Sequence, residues 1–323
     1  MITKPINGTW FEFQHHNKVE GTYWNPACKD FTDEQWRGKV KEIKELGMES
    51  IVLLATALDD QAYYSTDIFP KAELACENPI EALLSQADES GLNVFVSAGF
   101  YGDWMKPEIN MVDKDVTKRG LQAMNEIAEK FGHHKSLYGW YFPDELWIHP
   151  YFSEDFISYV NTYSKEAHNL SKNFKTMAAP YGTREVKPDD HFANQLERLD
   201  LDFVAYQDEI GVRKTKLEES ARFYEQLKKV HDKVGRSALW ADVEVFEFEG
   251  DVYTSPLLPA EFSRVEKQLE AVSPYVENIL IYQYQGMMNK PNSTVFAGHE
   301  SSTQLYQDYV AWLKKHHSNK ISL

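Results

Sequence analysis

The stretch Trp140-Tyr141-Phe142-Pro143-Asp144-Glu145 joins a short apolar, β-favouring run to an acidic tip, and an amphipathic helical pattern follows it. Eight times along the 323 residues such a run ends in a polar or aromatic tip and gives way to an amphipathic helical pattern, a mean period of about 40 residues. Eight consecutive βα units predict a closed parallel barrel, the (β/α)8 or TIM barrel, because open doubly wound sheets usually have about five or six strands. The predicted strands are approximately Gly8–Gln14, Ser50–Ala57, Asn93–Phe100, Tyr138–Pro143, Thr176–Pro180, Phe203–Gln207, Ala238–Val243 and Asn278–Gln283.

Local signals mark where the helices between these strands begin and end. Thr32 with Gln35, and Thr215 with Glu218, each have the spacing of a capping box at a helix N-terminus. The turn after the first strand, residues 14–18, lacks the G-x-G-x-x-G pattern of dinucleotide-binding sheets, which again favours a barrel. The other boundary signals are Asn78-Pro79 at one helix start and Gly47, Gly91 and Gly235 at three helix ends.

The composition restricts the classes of ligand. The chain carries 34 basic and 50 acidic residues, a formal net charge of −16, so neither nucleic acid nor an anionic membrane is expected as a partner. Aromatic residues make up 14% of the sequence, which is typical of a large aromatic core or of a carbohydrate site, because Trp and Tyr rings pack well against sugar rings. A neutral carbohydrate is therefore a candidate ligand. No linker-like or low-complexity stretch interrupts residues 1–323, which are expected to form a single barrel domain.

The N-terminus and the cysteines give weaker information. No run approaches the roughly 18 apolar residues of a membrane span, and the first residues lack the apolar core of a signal peptide. This pattern is compatible with a cytoplasmic protein or with the mature form of an exported one. Cys28 and Cys76 are expected to be free thiols, with a disulfide between them as the alternative.

Two acidic strand tips are the candidate catalytic residues. Glu145 follows the fourth strand among apolar neighbours, which should raise its pKa as a general acid requires. Glu244 follows the seventh strand and is the predicted nucleophile, with Glu247 as the second choice. Asp208, after the sixth strand, is a candidate third carboxylate. Glu145 could instead cap the next helix or pair with a Lys, and the other acids could be solvated residues of a turn.

Further polar and aromatic side chains at the strand tips form the candidate substrate-binding set. Strand alternation places Asp242 on the same side as Glu244, and Trp10 on the same side as Gln14. Trp104, in the loop after the third strand, is a candidate mobile flap. The complete set is Trp10, Gln14, Trp104, Tyr206, Asp208, Trp240, Asp242, Tyr282 and Tyr284.

Neither a metal nor a cofactor is predicted. The three His pairs, at 15–16, 133–134 and 316–317, are adjacent in sequence, and adjacent residues of a strand or helix point in different directions. The H-E-x-x-H and cysteine-cluster patterns of metal sites are missing from the sequence. So are the G-x-S-x-G elbow of hydrolases and a Gly-rich phosphate loop.

Five phrases spread over nearly the whole chain share the pattern of one family: Gly8-Thr9-Trp10, residues 36–52, Gly139–Glu145, Ala205–Asp208 and Leu239–Phe246. The pattern resembles a bacterial domain-of-unknown-function family of glycoside-hydrolase-like TIM barrels. The resemblance implies a barrel with a glycosidase site at Glu145, Asp208 and Glu244, and some relatives carry labels such as fucosidase. Asp144 departs from the larger clan of retaining glycosidases, which usually has Asn before the acid.

The sequence therefore predicts a glycoside hydrolase that acts on a neutral glycan or glycoside through two carboxylates, with retention of configuration. Two alternatives stay open, because the same barrel hosts many functions. One is a non-catalytic carbohydrate-binding barrel, for which we expect sugar binding without turnover. The other is a different barrel enzyme, such as a metal-dependent isomerase or hydrolase, for which we expect inhibition by a chelator.

Overall fold

The computed structural model of the protein describes residues 2–321 and contains a closed barrel of eight parallel strands. The strands pair in chain order and the first closes onto the last, with Gly8 opposite Leu280. The (β/α)8 prediction is confirmed, and each predicted strand corresponds to a barrel strand. These are β1 (Gly8–Phe11), β2 (Ser50–Leu53), β3 (Asn93–Ser97), β4 (Leu137–Tyr141), β5 (Lys175–Ala178), β6 (Phe203–Gln207), β7 (Ala238–Glu244) and β8 (Ile279–Tyr282).

Helices surround the barrel, and two small antiparallel hairpins lie in the loops after β2 and β7. The hairpins pair Ala57–Leu58 with Gln61–Ala62, and Phe246–Phe248 with Leu257–Pro259. Short 3-10 segments cover Glu20–Tyr23, Thr183–Glu185 and Ser318–Lys320. Within residues 2–321 the α-helices are α1 (Asn25–Asp30), α2 (Asp33–Glu45), α3 (Pro79–Ser90), α4 (Pro107–Asn110), α5 (Lys114–Phe131), α6 (Glu154–Leu170), α7 (Asp190–Arg198), α8 (Leu217–Val234), α9 (Phe262–Val272) and α10 (Ser302–His316).

Alternate residues of each strand point into the barrel. Trp10 of β1 meets Tyr141 of β4 across the interior, with ring centroids 4.6 Å apart. Trp240 of β7 packs on Phe203 of β6 in the barrel core, with centroids 4.3 Å apart. Side chains two residues apart on a strand share a face, so Asp242 and Glu244 point inward together with Trp240. They are the inward residues nearest the C-terminal end of β7, where the mouth of a parallel barrel lies.

The capping predictions hold where the cap is local. Thr32 and Gln35 form the complete capping box of α2, and Gly91 and Gly235 end α3 and α8 with φ of 64° each, in the left-handed region that favours glycine. The capping box predicted at Thr215 and Glu218 is wrong, because α8 begins at Leu217 after Lys216. The backbone N–H of Thr215 instead donates to the carbonyl of Glu209 at 3.0 Å, which ties Thr215 into the loop after β6.

The strand ends differ from the predictions on the side of the mouth. β1 ends at Phe11 rather than Gln14, and β7 runs one residue beyond its predicted end to include Glu244. Cys28 and Cys76 are both buried free thiols, as expected. None of the helices formed by residues 2–321 is long and apolar enough to cross a membrane.

Candidate active site

Glu145 stands just beyond the end of β4, with a hydrogen bond to each carboxyl oxygen. Tyr141 Oη donates to Oε1 and Gln207 Nε2 donates to Oε2, both at 2.7 Å. Since Tyr141 is the last residue of β4 and Gln207 the last of β6, the strand ends themselves position the carboxyl. Burial raises the Glu145 pKa to about 7, although the two hydrogen bonds oppose the rise. Glu145 can therefore hold and release a proton near neutral pH, as a general acid does.

Asp242 points inward from β7, and burial and the charge of Glu145 raise its pKa. The rise takes the pKa well above the usual range, and the charge of Asp208 adds to it. The Trp10 indole N–H faces the carboxyl and opposes this rise, but its geometry falls short of a full hydrogen bond. In the part of the chain that the structure describes, Asp242 Oδ1 and Trp10 Nε1 are both buried without a hydrogen-bond partner. Such unpaired groups are costly and are often satisfied by a ligand or water.

Glu244 is the last residue of β7, and its carboxyl accepts one hydrogen bond from a backbone N–H. The N–H of Val212, in the loop after β6, donates to its Oε2 at 2.8 Å. No other described residue donates a hydrogen bond to this carboxyl, so Oε1 has no protein partner. Burial raises the pKa of Glu244 well above its usual range, and the nearby charges of Asp208 and Asp242 act in the same direction, whereas the Val212 N–H opposes them.

Asp208 lies behind the wall rather than in the mouth. The backbone N–H of Glu244 donates to its Oδ1 at 3.2 Å, and Gln268 Nε2 of α9 donates to its Oδ2 at 2.7 Å. Burial raises the Asp208 pKa to about 6 against these hydrogen bonds. Since both oxygens are occupied by protein donors, the side chain connects the end of β7 to α9, and its predicted contact with substrate has no geometric support.

Other predicted substrate contacts are divided between the mouth and the outside of the wall. Tyr206 Oη bonds to His231 of α8 at 3.1 Å, and Tyr284 Oη donates to Glu42 of α2 at 3.0 Å, so both phenols face helices. Gln14 donates its side-chain amide to the backbone carbonyls of Phe13 and Asn25, because β1 ends before it and the strand alternation no longer applies. The polar groups of Tyr206, Gln14 and Tyr284 are therefore bonded to protein partners, and their predicted contact with substrate has no geometric support.

The remaining aromatic candidates lie on the inner side of the barrel or at its rim. Trp10 and Tyr282 point inward, and Tyr282 pairs in register with Glu244 of the neighbouring strand. Trp104, in the loop after β3, makes an edge contact with His16 at 4.6 Å between ring centroids. Trp240 is inward but buried in the core against Phe203, which places it below the carboxyls rather than among them.

A polar cluster on the β1 side of the mouth was not predicted from the sequence. Glu12 Oε1 accepts hydrogen bonds from Gln283 Nε2 at 2.7 Å and from Trp24 Nε1 at 3.0 Å, and Tyr282 Oη lies 3.4 Å from its Oε2. Burial raises the Glu12 pKa. The signal was available, since the alternation that turns Gly8 and Trp10 inward continues to Glu12.

His15 and His16 complete this cluster, and the expectation that adjacent histidines point apart is wrong for them. Their rings stack with centroids 4.5 Å apart, and ligand atoms of Glu12, His15 and His16 lie within 4.8 Å of one another, close enough to surround a metal ion. The tautomer of His15 opposes that role. The backbone N–H of Asn17 donates to His15 Nδ1 at 3.0 Å, so the proton of the neutral ring is on Nε2, the atom that faces Tyr282 Oη at 3.2 Å. A metal ligand needs a free lone pair at that atom.

The fold and this site together define the class of protein, a TIM barrel with a cluster of carboxyl groups at the C-terminal ends of the strands. The family then follows from the sequence. Residues 6–295 match the model of DUF4434, a domain of unknown function, and the chain belongs to this family. A comparison with curated protein sequences finds no match.

Solved structures share the fold at low sequence identity. A Bacteroides thetaiotaomicron VPI-5482 protein, provisionally described as an alpha-L-fucosidase, has a TM-score of 0.76 and 16% identity, over 96% of this chain and 93% of that one. An endo-beta-1,4-mannanase from Thermotoga petrophila has a TM-score of 0.60 and 8% identity, over 98% and 78% of the two chains. A GH2 beta-galacturonidase from Eisenbergiella tayi has a TM-score of 0.59 and 13% identity, over 96% of this chain and 51% of that one.

Proposed function

We propose that this protein is a retaining glycoside hydrolase in which Glu145 is the general acid and base and Glu244 is the nucleophile. The observation that carries the proposal is the hydrogen bonding and the raised pKa of Glu145. Its carboxyl is fixed by Tyr141 and Gln207, its pKa is raised to about 7, and two inward carboxyls of β7 belong to the same mouth. A pair of carboxyls flanking one bond is what glycoside hydrolysis requires.

The assigned steps need Glu145 in its protonated form and Glu244 as the carboxylate, so Glu244, whose pKa is raised by burial, must lose its proton before the attack. Protonated Glu145 donates its proton to the glycosidic oxygen while Glu244 attacks the anomeric carbon, and deprotonated Glu145 then activates water to release the sugar. Glu244 suits the attack because Val212 orients one of its oxygens and leaves the other without a protein partner. Asp242, one inward position deeper in β7, is assigned to accept a hydrogen bond from a sugar hydroxyl through its unpaired Oδ1.

The proposed substrate is a neutral glycan or glycoside. Among the described residues, no Lys or Arg side chain forms an ion pair or hydrogen bond with the carboxyl of Glu12, Glu145, Asp242 or Glu244. A uronic acid would therefore bring a further negative charge to a mouth without a paired cation. The structural neighbours do not decide this point, because the fucosidase and mannanase descriptions suit a neutral sugar whereas the beta-galacturonidase acts on a uronic acid.

The test begins with a panel of aryl glycosides of neutral sugars and continues with variants on the substrate that is cleaved. For Glu145→Gln we expect a loss of about 10²–10⁴-fold on substrates with poor leaving groups and a much smaller loss on dinitrophenyl glycosides. Glu244→Gln should lose activity on both. Glu247, the second choice for the nucleophile, is exposed in the hairpin after β7 and lacks the burial of Glu244, so Glu247→Gln is the matched control and should keep wild-type activity. Loss of activity in Glu247→Gln but not in Glu244→Gln would transfer the nucleophile role to Glu247. Equal losses on both leaving groups for Glu145→Gln would contradict the acid assignment.

Trapping the enzyme decides between the two carboxyls of β7. A 2-deoxy-2-fluoro glycoside of the accepted sugar should add its mass to the peptide that contains Glu244, and fragmentation should place the added mass on that residue. Attachment to Asp242 would transfer the nucleophile role to it. The absence of any covalent intermediate, with inversion of the product, would replace retention by the single-displacement mechanism.

The carbohydrate-binding alternative is favoured by one observation. Burial raises the pKa of Glu145, Asp242 and Glu244 alike, and no Lys or Arg side chain among the described residues pairs with these carboxyls to hold one of them in its ionised form. A purely binding barrel should bind glycans without turnover, and Glu244→Gln should leave that binding intact.

A further inference from the structure

The segment after Glu145 is held as an extended ribbon beside the loop after β5. The N–H of Ile148 donates to the carbonyl of Tyr181 at 2.9 Å, and the N–H of Tyr181 donates to the carbonyl of Leu146 at 3.0 Å. Trp147 and Tyr181 are the partners of this isolated parallel bridge. The backbone that follows the candidate acid is thus anchored by hydrogen bonds and extends the β4–β5 pairing outward.

Extended backbone turns alternate side chains to opposite sides, and burial follows that alternation here. Leu146 and Ile148 are buried, whereas Glu145 is half-buried and Trp147 and His149 are exposed. Glu145, Trp147 and His149 therefore share one face of the ribbon. The carboxyl is at its inner end, and the two rings follow in the outward direction.

Trp147 is an exposed aromatic residue with a rigid support. It is 46% exposed, and its ring stacks on that of His149 with centroids 4.6 Å apart and planes at 27°. His149 is in turn bonded through Nδ1 to Glu185. Behind the indole, Gly182 has φ of +85°, and a Cβ at this position would lie 2.5 Å from Trp147 Cδ1, so only glycine permits this approach.

We propose that the Trp147–His149 platform binds a sugar ring on the leaving-group side of the cleavage site, so that the substrate is a neutral oligosaccharide. This inference rests on the proposed role of Glu145. A general acid protonates the oxygen of the leaving group, so the surface that continues outward from Glu145 is the surface next to that group. The exposed indole face suits the apolar C–H face of a pyranose.

The surroundings of the platform supply polar edges for sugar hydroxyls. The Tyr181 pKa is raised to about 12 by burial and by the charge of Glu145, which places its phenol in the neighbourhood of the acid. Lys214 Nζ lies 5.0 Å from the centroid of the Tyr181 ring and 5.5 Å from that of Tyr253, which is 48% exposed. Tyr181, the bridge partner of Trp147, thus brings a phenol and, through Lys214, an ammonium group towards the platform, and both can bond hydroxyls of a stacked sugar.

The first part of the test is binding, which does not depend on turnover. Isothermal titration of the Glu145→Gln variant uses cellohexaose, mannohexaose, xylohexaose and 2′-fucosyllactose, with the corresponding monosaccharides for comparison. We expect at least one oligosaccharide to bind and its affinity to fall about tenfold when Trp147→Ala is added, whereas Trp147→Phe retains most of it. Phe296→Ala, at an exposed aromatic position in the loop after β8, is the matched control and should not change the affinity. Thermal unfolding of each variant checks that it is folded.

The second part compares leaving groups in the Glu145-containing enzyme. Trp147→Ala should raise KM for the oligosaccharide by about tenfold, and should affect an aryl glycoside with a small leaving group by about twofold or less. If Trp147→Ala leaves both affinity and KM for oligosaccharides at wild-type values, or if none of the four oligosaccharides binds, the platform proposal is overturned. If Trp147→Ala weakens binding but the wild-type protein cleaves nothing, the platform stands and the hydrolase proposal fails.

Discussion

The backbone N–H of Glu244 donates to Oδ1 of Asp208. Asp208, whose carboxyl lies behind the barrel wall, thus holds the end of β7, which presents the carboxyl of Glu244 inside the barrel. The same region is fixed from α9. Gln268 Nε2 donates both to Asp208 Oδ2 and to the carbonyl of Glu244, and Arg264 donates to that carbonyl at 2.9 Å. The negative charge of Asp208 also disfavours ionisation of Glu244 and so raises the Glu244 pKa. Asp208 is therefore a positioning residue for the end of β7.

Asp208→Asn should weaken the fold and disorder the end of β7. The N–H groups of the new amide would face Gln268 Nε2, which is also a donor, so one buried hydrogen bond would be lost. Gln268 does not turn its oxygen towards the amide, because that oxygen already accepts a hydrogen bond from Arg264. We expect the free energy of unfolding to fall by about 1–3 kcal/mol, measured by urea denaturation. Glu247→Gln is the control, because this exposed acid should change the unfolding free energy by less than about 0.5 kcal/mol. Equal stability of Asp208→Asn and wild type would argue against the proposed connection.

Glu145 should make the folded protein less stable as the pH rises towards neutrality. Its folded pKa, about 7, lies above the ordinary value of 4.5, so the folded state binds this proton more tightly than the unfolded chain. The stabilisation is fully present below about pH 4.5 and is lost as the pH rises through 7. Glu145→Gln removes this dependence, so the difference in unfolding free energy between variant and wild type should change by about 1–3 kcal/mol over that window. A constant difference from pH 4 to 8 would show that the pKa of Glu145 is unperturbed.

The hydrogen bond from Tyr141 should set the alkaline limit of activity. Tyr141 Oη lowers the Glu145 pKa by favouring the carboxylate, so Tyr141→Phe should raise it. If Glu145 is the general acid, the falling limb of kcat/KM at high pH should move upward by about 1 pH unit. Tyr138→Phe, on the same strand but without a side-chain hydrogen bond in the described structure, is the matched control. An unmoved limb in Tyr141→Phe would assign the proton donor to another group.

The two histidines at the mouth should not form a strong zinc site. His15 Nδ1 accepts a hydrogen bond from Asn17, so a metal at Nε2 would require the opposite tautomer and the loss of that bond. We expect Zn²⁺ to raise the melting temperature of the wild-type protein no more than that of His15→Gln. A stabilisation by Zn²⁺ that disappears in His15→Gln would demonstrate a metal site at Glu12, His15 and His16 and would favour a metal-dependent barrel enzyme.

The same histidines should make the fold sensitive to acid. Burial lowers the pKa of His15 and of His16 to about 3, below the ordinary 6.5, so the unfolded chain binds these protons more tightly. Their contribution to stability is present above about pH 6.5 and is lost as the pH falls through 3. His16→Asn should therefore lose less stability than wild type between pH 6.5 and 4, as measured by thermal unfolding. A wild-type pH dependence in this variant would contradict the lowered pKa of His16.

Prediction from sequence was most successful where the cause is local. The eight barrel strands follow from short apolar runs with flanking breakers, and the capping box of Thr32 and Gln35 needs only residues three apart. The capping box at Thr215 failed because the backbone there is held by the carbonyl of Glu209, a loop contact that no helix-start pattern contains. Alternation correctly turned Asp242 and Glu244 inward, but it does not apply to Gln14, which lies beyond the end of β1.

Local patterns in the sequence are enough to place acidic side chains at the C-terminal ends of β4 and β7, because periodicity and turn chemistry are properties of neighbouring residues. The partners of each Glu145 oxygen, Tyr141 and Gln207, and the burial that raises its pKa to about 7 depend on how the strands pack in the folded barrel. The meeting of Glu12 with Tyr282, 270 residues apart, also required closure of the barrel. Burial and long-range hydrogen bonds arise from how the elements pack together, and a local pattern of residue types does not specify them.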